Sequence, residues 1–420
     1  EAHLRAVRSP RERRTIAGLL RALSLLPLDH ARAAVETSAA IAAISLRASI
    51  EFLRVASDAA KVLEAAELRA WGEIGRRLTM AEVEAGLNFF AAGVGDFATV
   101  PSGVRPFVLQ VCSRQMILSA GTAAQTFGAA PLLAAQVHDT DALRQIYEIA
   151  GAIARRSAKH SAEFLSSTPA VFESLRSNNQ IVSFRGGLPP AGPSSMAGGS
   201  PPLDDSIVDV AVNLARSFAE HAGGIAADAW ASLPSATEKL NREQSLRLMN
   251  RAMDFLERGG APALQVLLSG GEVLRALPEC FHDWIELLWA IAPHGNAGLV
   301  AFIRSSPQFF QTIATAESKQ SAITLARRVL SLTREIGRVD AESALACMRI
   351  SAKALRTVSI EQFEKWARAG LIVGDSRARR SYYSLETRSS NEALRASDQS
   401  GVSLESVQQL LRLYVEALTG

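Results

Sequence analysis

A short sequence pattern recurs at a nearly constant interval along this chain of 420 residues. The pattern is an apolar or aromatic pair, then a small polar stretch that often contains proline, then a second apolar stretch. Successive anchor residues of the pattern lie 36 to 38 residues apart, except for one interval of 65. A fixed period of this length indicates a repeat protein in which each repeat is one supersecondary unit. The anchors are Leu53, Phe90, Phe127, Leu165, Trp230, Leu267 and Ile303.

The repeats are predicted to be helical hairpins. Apolar residues recur three and four positions apart and almost never alternate, which is the helical period. Two helices of about 12–15 residues and two turns fill a repeat of about 37 residues. One hairpin cannot cover its own apolar face, so neighbouring hairpins must stack. The sequence therefore predicts an all-α, HEAT-like helical-hairpin solenoid, and the Trp, Gly and Tyr pattern of tetratricopeptide repeats is missing.

The polar stretch of each pattern is predicted to be the turn of the hairpin. The first helix is then expected to end at the anchor. Thr168 and Ser306 are expected to be N-caps, with Pro169 and Pro307 as the first residues of the second helices. Three further pairs have the spacing of a capping box, namely Thr79 with Glu82, Ser235 with Glu238, and Ser359 with Gln362.

One segment breaks the repeat array. Residues 176–205 are dense in Gly, Pro and Ser and lack a helical period, which indicates a flexible linker or loop. The predicted organisation is N-terminal helical repeats over residues 1–175, the linker over 176–205 and C-terminal helical repeats over 206–350. A terminal helical segment over 351–420 completes the chain.

Charge and cysteine content narrow the functional classes. The chain has 45 Lys and Arg against 42 Asp and Glu, a formal charge of +3, which does not make the whole molecule a polyanion binder. Cys112, Cys280 and Cys347 are far apart, so we expect free, buried thiols in a reducing cytoplasm. No export signal is visible, and residues 115–137 are predicted to be a buried helix–turn–helix rather than a membrane span.

No motif predicts catalysis or a cofactor. The sequence has no phosphate-binding loop, no dinucleotide fingerprint and no nucleophile elbow. No two histidines have the i, i+4 spacing of a helical metal site, and Cys280, His282 and Asp283 are interpreted as a helix end. We expect no catalytic, cofactor or metal site, although an enzyme whose site combines distant residues stays an alternative.

A basic and aromatic strip lies near the C-terminus. Arginines there could hold phosphates while tyrosines stack on a base, but the same residues fit a solvated helix face with a tyrosine packed inward. The candidate partner-binding residues are Arg377, Arg379, Arg380, Tyr382, Tyr383 and Arg388.

The strip belongs to a longer segment that resembles a known family. Residues 363–420 begin FEKWARAGLIVGDSRARRSYYSLETR and end EALTG. They resemble the segment that precedes the von Willebrand factor A domain in CbbO- and NorD-type proteins, and the upstream repeats are similar to the helical region of those proteins. The resemblance implies a scaffold or docking arm that acts with MoxR-type AAA+ ATPases.

The family's metal site is not carried over. Its A domain has a D-x-S-x-S motif, whereas the nearest approach here, Asp398, Ser400 and Val402, lacks the second serine. An A domain is therefore expected beyond Gly420 or on another molecule. The resulting prediction is a non-enzymatic adaptor that couples a MoxR-type ATPase to a target protein. The alternative is a HEAT-like nucleic-acid-binding protein that uses the strip from Arg377 to Arg388.

Overall fold

The computed structural model describes residues 10–183, 205–315, 318–338, 341–354 and 359–365. Every regular element in these ranges is a helix, which confirms the all-α prediction. The first ten helices are α1 (Pro10–Leu23), α2 (Leu28–Ala42), α3 (Leu46–Ala59), α4 (Ala65–Ala81), α5 (Val83–Ala92), α6 (Arg105–Leu118), α7 (Ala120–Gln136), α8 (Thr140–Ala154), α9 (Ala158–Ser183) and α10 (Asp205–Ala222).

Seven more helices follow in the described part of the chain. They are α11 (Ile225–Thr237), α12 (Arg242–Asp254), α13 (Gly260–Ala276), α14 (Phe281–Ile291), α15 (Asn296–Ala314), α16 (Lys319–Gly337) and α17 (Ala341–Ala354). Short 3-10 turns lie at Gly95–Thr99, Phe255–Arg258, Pro278–Cys280 and Ala292–His294.

The chain forms two compact units, and the described helices cross from one to the other between Ser177 and Asn178 in α9 and between Ala231 and Ser232 in α11. In the first unit, α2, α4, α6, α8 and α10 pack in succession as one rank, and α1, α3 and α5 form the start of another. In the second unit, α13, α15 and α17 form one rank, and α14 packs on α16. Helices that contact their neighbours two positions along the chain are the signature of stacked hairpins.

The predicted period matches the helices. The seven anchors fall one on each odd-numbered helix from α3 to α15, so one hairpin occupies one period. Six of them are the eighth residue of their helix, and Trp230 is the sixth residue of α11. All seven are buried, because this position faces the helices of the neighbouring repeats.

The predicted position of the turn is wrong in most repeats, although α5 does end at Ala92, two residues after its anchor Phe90. Pro169 and Pro307 lie inside α9 and α15, and Pro131 and Pro234 lie inside α7 and α11. Instead of capping a helix, the hydroxyls of Thr168 and Ser306 donate to backbone carbonyls four residues earlier, each at 2.9 Å. Hydrogen bonds of this kind within the helix are an alternative use for Ser and Thr that local sequence does not distinguish from a cap.

The capping predictions have mixed outcomes. Thr79 and Ser235 also lie within helices, where their hydroxyls donate to the carbonyls of Gly75 and Ser232. Ser359 and Gln362 do form a reciprocal pair, since each backbone amide donates to the other's side chain, at 3.2 and 3.3 Å. The start of α9 is instead marked by Ser157, whose hydroxyl accepts from the amide of His160.

Polar contacts between helices also follow the period. Several side chains bond to a partner 37 to 39 residues away, which is the equivalent position in the next repeat. Such contacts stabilise the register of neighbouring hairpins, because a shift of one turn would break them. They are Arg47 with Glu84, Asn296 with the Arg258 carbonyl, Arg304 with Gln265, and Gln311 with Glu272.

Much of the predicted linker is outside the described residues, which stop at 183 and resume at 205. Helix α9 continues to Ser183, and α10 packs against α8 in the first unit. Of the predicted terminal segment 351–420, the described residues are 351–354 and 359–365.

Residues 115–137 form the predicted helix–turn–helix, with Ser119 alone between α6 and α7. The prediction that this region is buried is only partly right. Gln115 is fully buried, whereas the side chain of Ile117 at the turn is 73% exposed. Among the described helices, none combines the length and the apolarity that a bilayer crossing requires.

Candidate interaction edge

The first unit has an edge formed by the turns that follow α2, α4, α6 and α8, which we call the turn edge. These connections are short: Glu82 alone joins α4 to α5, and Ser119 alone joins α6 to α7. An ion pair of 2.8 Å between Arg47 and Glu84 joins the starts of α3 and α5, so the first two turns lie side by side. Connections this short give the side chains next to them little freedom to turn towards the core.

A glycine makes the one-residue turn between α4 and α5 feasible. Gly86 of α5 lies against Thr79 of α4, and a Cβ at Gly86 would lie 2.9 Å from the Thr79 Cα. A larger residue would push the two helices apart at the point where one residue connects them. Met80 and Val83, on either side of this turn, are both exposed.

Large apolar side chains are exposed at three successive turns of this edge. Met80 is 61% exposed, and Ile44 lies 36 residues before it and Ile117 lies 37 residues after it. Exposed apolar side chains that recur at the same turn of successive repeats make this edge a candidate interaction site, because exposed apolar patches mark such sites. We call this set the apolar row; its members are Ile44, Met80, Val83, Ile117 and Leu118.

Other exposed apolar residues do not recur in this way. Leu25 and Leu28 flank the α1–α2 turn, but Lys61 and Glu64 are exposed at the equivalent α3–α4 turn. Val35 lies within α2 and Leu132 within α7, 45% and 63% exposed. Among the described residues, all exposed large apolar side chains lie in the first unit.

The fourth turn of the edge is basic instead of apolar. Arg155 and Arg156 follow α8, and Arg114 reaches over from α6 to lie on Gly151, where an added Cβ would be 2.5 Å from its Nη1. Burial, and then the nearby charge of Arg155, lower the pKa of Arg114. We call Arg114, Arg155 and Arg156 the basic cluster.

The guanidinium groups of the basic cluster make no hydrogen bond or ion pair with any described residue. The arginines near the end of α4 differ, because Arg76 and Arg77 both bond to Glu73, at 2.6 and 3.0 Å. The guanidinium of Arg156 lies against Gly223 at the α10–α11 turn, which has a φ of +46°. Arg114 and Arg156 are therefore held by packing against glycines, and the positive charges of the basic cluster have no counter-ion among the described residues.

Cys112 and Cys347 lie within α6 and α17, and Cys280, His282 and Asp283 lie at the start of α14. All three thiols are free and buried, as predicted. The Cys280 Sγ faces the Ile323 carbonyl at 3.9 Å, and Asp283 pairs with Arg327 at 3.2 Å. No group of three potential metal ligands occurs in the part of the chain that the structure describes.

The six candidate residues predicted near the C-terminus, Arg377, Arg379, Arg380, Tyr382, Tyr383 and Arg388, lie outside the described residues. The turn edge was not predicted from sequence. A signal exists, since Ile44, Met80 and Ile117 are separated by the repeat period, but exposure depends on where each helix ends. Comparisons of the chain with protein-family models, with curated proteins and with solved structures find no match, so the turn edge is defined by this chain's own geometry.

Proposed function

We propose that this chain is a scaffold that binds a protein partner along the turn edge of its first unit. The observation that supports the proposal is the apolar row, in which three successive repeats expose apolar side chains at the same turn. A helical-repeat protein offers such an extended surface without needing catalytic residues.

The apolar row has the chemistry of an interface centre. Burying a side chain such as Met80 or Ile117 fully contributes about 1.5–3 kcal/mol relative to exposure. Interfaces concentrate their binding energy in a few well-buried side chains that polar neighbours surround. The polar residues beside the row include Arg47, Glu82 and Glu84, which suit the rim of such an interface.

We further propose that the partner is a MoxR-type AAA+ ATPase or the target that it acts on. This proposal is supported by the resemblance of residues 363–420 to the segment before the A domain in CbbO- and NorD-type proteins. The described start of that segment is attached to the second unit, because Glu364 bonds to Arg328 of α16 at 2.8 Å, and Glu361 just before the segment bonds to the same arginine at 3.0 Å. Phe363 between them is fully buried.

A titration tests the proposal. The 420-residue chain is mixed with a purified MoxR-type ATPase from the same genome, and complexes are counted by mass photometry. We expect a complex whose Kd rises at least about tenfold in the double variant Met80→Ser, Ile117→Ser, which corresponds to about 1.4 kcal/mol.

The matched control is the double variant Leu25→Ser, Leu132→Ser, which removes two exposed apolar side chains outside the turn edge. Its Kd is expected to equal that of the unaltered chain. The absence of any complex would count against the ATPase as partner. The same Kd for both double variants would show that the partner does not bind at the turn edge.

A further inference from the structure

We propose that the partner segment seated on the turn edge is an amphipathic α-helix with an acidic end. Its apolar stripe lies on the apolar row, and its carboxylates bond to Arg114, Arg155 and Arg156. This inference rests on the proposed function, and it specifies the chemistry of the segment that the edge recognises.

The spacing of the apolar row selects a helix. Neighbouring helices in a stack are about 8–10 Å apart, so successive turns step along the edge by about that distance. In an α-helix, residues seven apart lie on the same face and about 10.5 Å apart along the axis. In an extended strand, a step of about 10 Å takes three residues, and an odd number of residues turns the side chain to the opposite face. A helix with an apolar residue every seven positions therefore contacts all three turns.

The basic cluster selects the charge. It lies one repeat beyond Ile117 and Leu118, at the next turn of the same edge. A helix that spans the row reaches this turn about seven residues after its last apolar contact. Acidic side chains at that end meet guanidinium groups, which bind carboxylates through two parallel hydrogen bonds.

The same cluster disfavours an uncharged or basic partner. Arg114 is only partly exposed and lies near the like charge of Arg155. Covering these groups without a counter-ion would remove them from water with no compensating bond, which is costly. A carboxylate offsets the repulsion between the two arginines, and its hydrogen bonds to the guanidinium groups compensate for part of the desolvation cost.

A pair of synthetic peptides tests the inference against the full chain. The probe is a fluorescent 24-residue helical peptide with Leu at positions 3, 10 and 17 and Glu at positions 20, 21, 23 and 24. The comparison peptide has Lys at the four Glu positions. Binding is followed by fluorescence anisotropy at low and moderate salt. We expect the acidic peptide to bind more weakly at higher salt and the basic peptide not to bind.

The double variant Arg155→Glu, Arg156→Glu is expected to raise the Kd of the acidic peptide at least about tenfold, because two contacts become repulsive. The control Arg14→Glu, Arg21→Glu changes the net charge equally on exposed residues of α1 and should leave the Kd unchanged. Circular dichroism confirms that both variants are folded.

Three outcomes would overturn the inference. They are equal affinity for the two peptides, full affinity in the Arg155→Glu, Arg156→Glu variant, and no binding of either peptide. If Met80→Ser, Ile117→Ser still weakens the ATPase complex in any of these cases, the proposed function stands and only the acidic helix is rejected. Sedimentation with phosphatidylglycerol vesicles, lost in the Arg155→Glu, Arg156→Glu variant and without peptide binding, would favour a membrane surface instead.

Discussion

The indole Nε1 of Trp230 donates a hydrogen bond of 3.0 Å to the hydroxyl of Thr168, although 62 residues separate them. Both groups are buried, and the rings of Phe164 and Trp230 lie 5.2 Å apart at the same contact. The Thr168 hydroxyl also donates to the Phe164 carbonyl. This contact joins α9 to α11 across the interruption in the repeat array.

Replacing Thr168 by Val should destabilise the first unit by about 1–3 kcal/mol, because the buried indole N–H loses its acceptor. Valine nearly retains the shape of threonine, so the change in the free energy of unfolding measures the loss of the hydrogen bond to Trp230. The free energy of unfolding is measured by denaturant titration followed by tryptophan fluorescence.

The control is Thr312→Val, since Thr312 donates only to the Gln308 carbonyl of its own helix at an exposed site. It should change stability by less than about 0.5 kcal/mol. Equal effects in the two variants would show that the Trp230 contact contributes nothing.

Two glycines in helices should respond to alanine with opposite signs. Gly271 of α13 lies against the backbone carbonyl of Ala236 in α11, and an added Cβ would displace that backbone. Gly271→Ala should therefore cost about 1–3 kcal/mol by overpacking. Gly128 of α7 has open space at its Cβ position, so Gly128→Ala should stabilise the chain by about 0.5–1 kcal/mol. Thermal unfolding of both variants checks the signs, and stabilisation by Gly271→Ala would contradict the close approach.

The three thiols should be unreactive while the chain is folded. Burial raises the pKa of Cys280 to about 11 and that of Cys347 to about 12, and it also raises the pKa of Cys112. Since the thiolate is the reactive form, Ellman's reagent at pH 8 should modify none of them within minutes. Three thiols should react in guanidinium chloride. Rapid reaction of one thiol in native conditions would show that its side chain opens to solvent.

The Glu73 ion pairs should make stability depend on pH. Hydrogen bonds from Arg76 and then Arg77 lower the pKa of Glu73 below its usual 4.5, although burial opposes this. A lowered folded-state pKa stabilises the chain above pH 4.5 and stops doing so as the pH falls through the folded value. Glu73→Gln should therefore be destabilising at pH 7, with the difference shrinking towards pH 3.

Denaturation midpoints at the two pH values measure this effect. Glu163→Gln is the comparison, because its contact with Lys159 is long, at 3.6 Å, and lies on the surface. If Glu73→Gln lowers stability equally at both pH values, the loss comes from packing and not from the carboxylate charge.

The repeat period was predictable because it reflects burial. The anchor position is buried against neighbouring repeats in the odd-numbered helices from α3 to α15, so Phe90 and Leu267 are both apolar for the same reason. The position of the turns was not predictable from the prolines. A proline after Ser or Thr has the same local sequence at a helix start and inside a helix, and Pro307 is of the second kind. Pro307 removes one backbone hydrogen bond of α15, and the packing of this helix against its neighbours outweighs that loss. The residues around Pro307 in the sequence do not indicate that packing.

The turn edge was missed for a related reason. Met80 and Ile117 are exposed because each lies next to a connection of one residue. The sequence had instead predicted turns just after the anchor residues. Arg114 and Arg155 are 41 residues apart and become neighbours only when α6 packs on α8. The C-terminal candidates, including Arg377 and Tyr382, stay predictions because they lie outside the described residues.

The contact pattern between helices two positions apart has a kinetic consequence. Most contacts within each unit join segments close in sequence, and chains with such local contacts fold quickly for their size. Among the described residues, helix α1 packs on α2 and α3 and buries Ile16 and Leu23. Its amide protons should therefore exchange with solvent before those of α4 or α6, which are enclosed by hairpins on both sides.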